Sequence, residues 1–238
     1  MFPFTPQIQV EPGWTVHYQD VLDHILPILT PERQARIQNT VRHRTFSVVP
    51  VLEDLFDRGN VSACLRSAEA FGLGQVHLIQ KNEKFKESQR TTAGADKWVE
   101  VKQWKTTADC IGHLKSQGMQ IVATHLSPSS VPIGKIDFSK PTAIVLGNEK
   151  QGISPEMVEL ADQSVIIPML GFVQSFNISV AASLAFYHLT LDRQQRRGST
   201  GDLTAEEQEI LKAIYTLRTQ DSSGATLRRL KAENKLRT

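Results

Sequence analysis

Cysteine is nearly missing from this 238-residue chain, which carries only Cys64 and Cys110. Two thiols without Cys-x-x-Cys spacing or a nearby histidine cluster exclude a disulfide framework, and no metal site is expected. Cys64 falls among small residues at helical spacing and reads as packing. Long apolar runs are also lacking. The longest apolar-leaning stretch, residues 178–191, is interrupted by Ser183 and His188 and is too short to span a bilayer. The first residues (MFPFTPQIQVEPGW) have neither a basic lead nor an apolar run of signal-peptide length. The expectation is a cytoplasmic protein without membrane association. Strong net charge is absent too, since 27 Lys and Arg against 25 Asp and Glu leave +2. The distribution is more informative. Residues 193–238 hold ten Lys or Arg against six Asp or Glu, and residues 32–44 hold four Arg against one Glu. Both ends are basic beside a near-neutral middle, as expected where RNA phosphates meet the termini, although a solvated charged face has the same composition.

Several signatures are missing as well. The stretch Gly147-Asn-Glu-Lys-Gln-Gly152 has the glycine gap of a phosphate-binding P-loop, but Ile153-Ser154 stands where Lys-Ser/Thr is required. Gly72-Leu-Gly74 ends a helical pattern instead of following a strand, so the dinucleotide fingerprint fails. No Gly-x-Ser-x-Gly elbow occurs. Triphosphate hydrolysis, hydride transfer and serine hydrolysis lose their usual support.

What is present reads as one α/β domain with appendages. Five prolines up to Pro31 predict an irregular lead with one short helix near residues 21–26. Thr30-Pro31-Glu32 starts a polar helix whose apolar seam is Ile37 and Val41. From Val48 the pattern changes. VVPVLEDL predicts a strand, residues 57–60 a turn, VSACLRSAEAFG a helix and QVHLI a second strand, which together make a parallel βαβ unit. Residues 81–97 read as a loop. Strands follow near residues 99–101, 120–124, 143–146 and 165–167, with helices near 107–117 and from Ser154-Pro155-Glu156. A helix from about Asn177 closes the core. Residues 193–201 (RQQRRGSTG) read as a linker, and Thr204 to Glu207 as a capping box opening a helix with Ile210, Leu211, Ile214 and Leu217 on one face. The organisation expected is an N-terminal extension over residues 1–47, an α/β domain over 48–192, and a linker with a helical extension over 193–238.

Polar residues then collect where strands end, the place where open α/β sheets bind ligands. Asn60 follows the first strand at an expected helix N-cap. Arg66 lies off the stripe of Val61, Cys64, Leu65, Ala68 and Phe71. Glu149 follows the apolar strand AIVL, and Ser175 and Asn177 precede the last helix. Singly each has a plain reading: a cap, a solvated arginine, a loop acid.

Three segments in order carry more: Asn60-Val-Ser-Ala-Cys-Leu-Arg66 with Ala70-Phe71-Gly72, Ile144-Val-Leu-Gly-Asn-Glu149-Lys-Gln-Gly152-Ile-Ser154, and Ile167-Pro-Met-Leu-Gly171-Phe-Val-Gln-Ser175-Phe-Asn177-Ile-Ser179-Val-Ala-Ala182. Together they resemble the motifs of the SpoU–TrmH family of RNA ribose methyltransferases across roughly residues 48–192. The resemblance implies an α/β fold of mainly parallel sheet with a C-terminal deep trefoil knot (the SPOUT fold), flanked by N- and C-terminal helical extensions. It implies a homodimer that binds S-adenosylmethionine and methylates a ribose 2′-hydroxyl. Carried over by position, Arg66, Asn60, Glu149, Ser175 and Asn177 are the expected catalytic residues. Thr124, Leu146, Gly147, Ile167, Met169 and Phe176 are expected to line the cofactor pocket. Within the family, the basic helix before the first motif and the C-terminal extension are similar to those of tRNA methylases acting on guanosine 18 of the D-loop. That implies tRNA as partner, with Arg36, Arg44 and Arg193 as RNA contacts. The lead is too short for the extra RNA-binding domain of relatives acting on 23S rRNA. Two alternatives stay open: the same reaction on another tRNA position or on rRNA, and a non-catalytic knotted RNA-binding protein.

Overall fold

The structure, a computed structural model, describes residues 2–80, 94, 97–148, 150–220 and 222–237. The expected loop at 81–97, apart from Gly94 and Lys97, lies outside the described residues, as does Glu149. The chain divides into two compact units, one of residues 45–200 and one of residues 1–44 with 201–238.

The larger unit is a seven-stranded sheet. Its strands are β3 (Val48–Glu53), β4 (Gln75–Ile79), β5 (Glu100–Trp104), β6 (Gln120–Thr124), β7 (Val131–Pro132), β8 (Thr142–Leu146) and β9 (Gln163–Ile166). They lie in the order β5-β4-β3-β8-β6-β9-β7, and every pairing is parallel. Successive side chains of a strand face opposite sides. Val48, Leu52, Ile144 and Leu146 therefore join one core layer with α3 (Arg58–Ala70) and α6 (Ile178–Arg197), and Val49, Val51, Ala143 and Val145 join the other with α4 (Thr107–Ser116) and α5 (Pro155–Leu160). Burial on both faces explains why these strands read as continuous apolar runs. Cys64 is buried in the first layer, as its spacing predicts.

The smaller unit joins the two ends of the chain. Here the sequence reading needs correcting, because the lead is not irregular. A hairpin of β1 (Gln7–Glu11) and β2 (Trp14–His17) precedes α1 (Tyr18–His24). Its turn passes through Pro12-Gly13, and Gly13 takes a φ of 76°, which a side chain disfavours. The prolines suggested irregularity, but they flank β1 and leave its pairing groups free. Thr30 caps α2 (Pro31–Arg42), where Ile37 and Val41 are the buried residues. Thr204 and Glu207 form the expected capping box on α7 (Ala205–Thr219), which packs against α1 and α2. A last helix, α8 (Ser223–Ala232), follows. No helix among the described residues is long and apolar enough to cross a membrane.

Candidate functional site

Strand order places the site. β3 leads to β4 and β5 on one side, whereas its other neighbour, β8, is followed by β9 two places further out. The helix after β3 and the helix after β8 lie on opposite faces of the sheet. Between the carboxyl ends of these two strands the chain departs in opposite directions, the arrangement that opens a ligand-binding crevice in parallel sheets.

Asn60 reaches this region from α3, but not as the expected cap. Asp57 is the N-cap, and its Oδ1 accepts from the Gly59 N–H at 2.6 Å and the Asn60 N–H at 3.2 Å. With those orphan donors satisfied, the helix begins before the predicted turn is complete, and the Asn60 side chain does not serve as the cap. Asn177 is the N-cap of α6. Its Oδ1 accepts from the Ser179 N–H at 2.9 Å and Ser179 Oγ at 2.6 Å, while its Nδ2 donates to Asn60 Oδ1 at 3.3 Å. Packing of α3 on α6, tied also by Ser67 Oγ to Ser183 Oγ at 2.8 Å, thus brings the first and third sequence motifs together.

Arg66 stands further along the same helix. Six residues of helix carry it about 9 Å along α3 and about 120° around its axis from Asn60. It is exposed and has no hydrogen-bond or ion-pair partner among the described residues. Ser175 is exposed two residues before the α6 cap.

The expected cofactor residues form a rim. Thr124, Leu146 and Ile167 stand at or just beyond the carboxyl ends of β6, β8 and β9, three adjacent strands. Thr124 Oγ1 donates to the Val145 carbonyl at 2.9 Å. A Cβ at Gly147 would overlap the backbone of Gly152 and Ile153, so only glycine lets the two passes of chain approach so closely. Met169 is half-buried and Phe176 exposed, within a run from Leu170 to Asn177 that is open throughout. Leu170 and Phe172 are fully exposed at 105% and 107%.

The expected RNA contacts separate. Arg36 is exposed on α2, but Arg44 and Arg193 are fully buried. Arg44 lies over the Tyr215 ring, and Arg193 donates to the carbonyls of Phe138 at 2.9 Å and Thr200 at 3.1 Å. Arg193 is thus committed to internal acceptors and braces the fold. The sequence reading passed over Glu53, Asp54 and Asn148, which tie the segment after β8 to the end of β3. The available signal was a carboxylate inside an otherwise apolar strand.

Residues 47–187 match the SpoU rRNA Methylase family. The chain is similar to the tRNA (guanosine(18)-2′-O)-methyltransferase of Escherichia coli strain K12, with 42% identity over 70% of this chain and 72% of the relative. Among solved structures it resembles the A. aeolicus TrmH/SpoU tRNA modifying enzyme, with a TM-score of 0.70 and 32% identity over 80% of this chain and 96% of that one. It also resembles the AdoMet-bound rRNA methyltransferase from Sinorhizobium meliloti, with a TM-score of 0.57 and 27% identity over 67% and 60% of the two chains.

Proposed function

Because the chain belongs to the SpoU rRNA methylase family, we propose that it is an S-adenosylmethionine-dependent 2′-O-methyltransferase acting on tRNA, with guanosine 18 of the D-loop as its target. The observation that supports this most directly is the meeting of Asn60 and Asn177, 117 residues apart, beside the crevice between β3 and β8.

The rim fits the cofactor. Gly147 lets the backbone of Gly152 and Ile153 close on the end of β8, where Leu146 is buried, and Ile167, Met169 and Phe176 offer apolar surface to an adenine. Thr124 borders the same rim. When bound, S-adenosylmethionine supplies an electrophilic methyl carbon on a sulfonium.

The chain's own task is to aim a ribose hydroxyl and manage its proton. Asn60 and Asn177 orient the ribose, together with Ser175, two residues before Asn177, and Glu149, which follows β8 in sequence. Arg66 clamps the adjoining phosphate. A guanidinium keeps its charge at physiological pH, so Arg66 stabilises the alkoxide developing on the 2′-oxygen while a phosphate oxygen takes the proton. Exposed Arg36 on α2 contacts tRNA phosphates.

The protein acts as a homodimer. Val180, Leu184, Tyr187 and Leu191 are each at least 40% exposed and repeat along one face of α6, an apolar stripe that a second copy would cover. The close approach at Gly147 supports a trefoil knot within residues 48–192, the catalytic domain. Residues 1–47 and 193–238 serve as the RNA-facing extensions. A reducing cytoplasm suits the two free, buried thiols.

Radiolabelled methyl transfer to unmodified tRNA and rRNA transcripts, with the methylated ribose mapped, tests the reading. Label on guanosine 18 of tRNA is expected. Label on another ribose would correct the target, and binding of cofactor without transfer to either RNA would refute the activity.

A further inference from the structure

Glu53 is an acid in a strand that otherwise holds none. β3 is buried along its whole length, and its other five residues are apolar. A carboxylate in such a place is strongly destabilising unless hydrogen bonds compensate it. At 2% exposure, Glu53 has them. Its Oε1 accepts from Thr107 Oγ1 at 2.8 Å and from Ser154 Oγ at 2.7 Å, and its Oε2 accepts from the Ser154 N–H at 2.9 Å. Thr107 opens α4 and Ser154 caps α5, so the carboxylate stands at the amino ends of two helices, where unpaired N–H groups favour negative charge. Ser154 Oγ, its proton given to Glu53, accepts from the Met157 N–H at 3.2 Å. Glu53 therefore sets the orientation of the α5 cap.

The next residue completes the fastening. Asp54 has a φ of 52°, in the left-handed region that a side chain disfavours. Its N–H donates to the Ile79 carbonyl at 2.9 Å, and its own carbonyl accepts from Asn148 Nδ2 at 2.7 Å. Asn148 Oδ1 takes the N–H groups of Lys150 at 2.8 Å and Gln151 at 3.2 Å. The backbones of Asn148 and Gly152 exchange two hydrogen bonds of 2.8 Å. Two consecutive residues at the end of β3 thus hold both ends of the segment 148–154, which begins beside Gly147 and includes Glu149 in sequence.

We infer that Glu53 is a positioning residue for the methyl donor: through Ser154 it holds the segment after β8 in the shape that receives the cofactor. This rests on the function proposed above. Glu53 itself touches neither the cofactor nor the ribose.

Calorimetric titration of the full-length chain with S-adenosylhomocysteine, alongside melting temperatures, tests it. Glu53→Gln keeps one acceptor oxygen, for the Ser154 N–H, but sets an NH2 group against the Thr107 and Ser154 hydroxyls, which both donate to the carboxylate. The Thr107 hydroxyl can turn its proton away, but Ser154 Oγ already accepts from the Met157 N–H, so the α5 cap must rearrange. The dissociation constant should rise on the order of tenfold, and Glu53→Asp should recover part of the loss. Thr107→Val removes a bond to the same carboxylate from the α4 side, so it should lower the melting temperature while changing cofactor affinity by no more than about twofold. If Glu53→Gln does not fold, Ser154→Ala replaces it, with a rise of roughly threefold expected. Wild-type affinity in Glu53→Gln, or equal loss of affinity in Thr107→Val, would overturn the inference. A wild-type chain that binds the cofactor but methylates no RNA would overturn the proposed activity and leave the Glu53 result standing. One that binds no cofactor would overturn both.

Discussion

Two segments of the site, each following a strand of the same sheet, are built in opposite ways. Residues 147–154, after β8, are closed on themselves and bonded to β3 through Asn148 and Ser154, with Asn148 only 8% exposed. Residues 168–177, after β9, end in the Asn177 cap but carry Leu170, Phe172 and Val173 in the open. The first segment has its partners within the chain, so folding alone gives it its shape. The second exposes apolar side chains that water disfavours, the surface that the proposed cofactor and second copy would cover. Arg66 belongs with the second kind: it is exposed, and among the described residues it has no ion-pair partner.

Three substitutions break or sharpen that contrast. Arg66→Lys, on the open side, has the largest expected effect, a fall in kcat of roughly hundredfold to thousandfold with cofactor affinity retained. The geometry it loses is the planar fork, because the charge remains. Near-normal rates with a new ionisation in the pH–rate profile would make residue 66 a base and overturn the phosphate clamp. Next, Leu184→Glu places a charge in the α6 stripe. Sedimentation should show dimer association weakened by at least about thirtyfold, the size of an interface hot spot, and unchanged sedimentation would remove the stripe from the interface. Gly147→Ala, on the closed side, forces a methyl group against the backbone of Gly152 and Ile153. About 1–3 kcal/mol of stability should be lost in urea unfolding. Wild-type stability would mean that the segment yields, and its contrast with residues 168–177 would disappear.

Much of the frame was legible beforehand because it follows from local chemistry. Proline after a hydroxyl cap marked α2 and α5, the capping box marked α7, and unbroken apolar runs marked the doubly covered strands. The hairpin at residues 7–17 was not legible, because prolines outside the paired positions look the same in sequence as prolines that break a strand. The burial of Arg44 and Arg193 was hidden for a related reason. A basic run records charge, whereas burial under neighbouring elements is a long-range property.

The sequence by itself determined most elements of the larger unit, the three motifs and hence the family, since each depends on residues close together in the chain. Tertiary structure decided which of those residues meet. It paired Asn60 with Asn177, left Arg66 exposed, and turned Glu53 from an oddity in a buried strand into the anchor of the segment after β8. Contacts of this kind span 117 residues in one case and 101 in the other, and no local spacing encodes them.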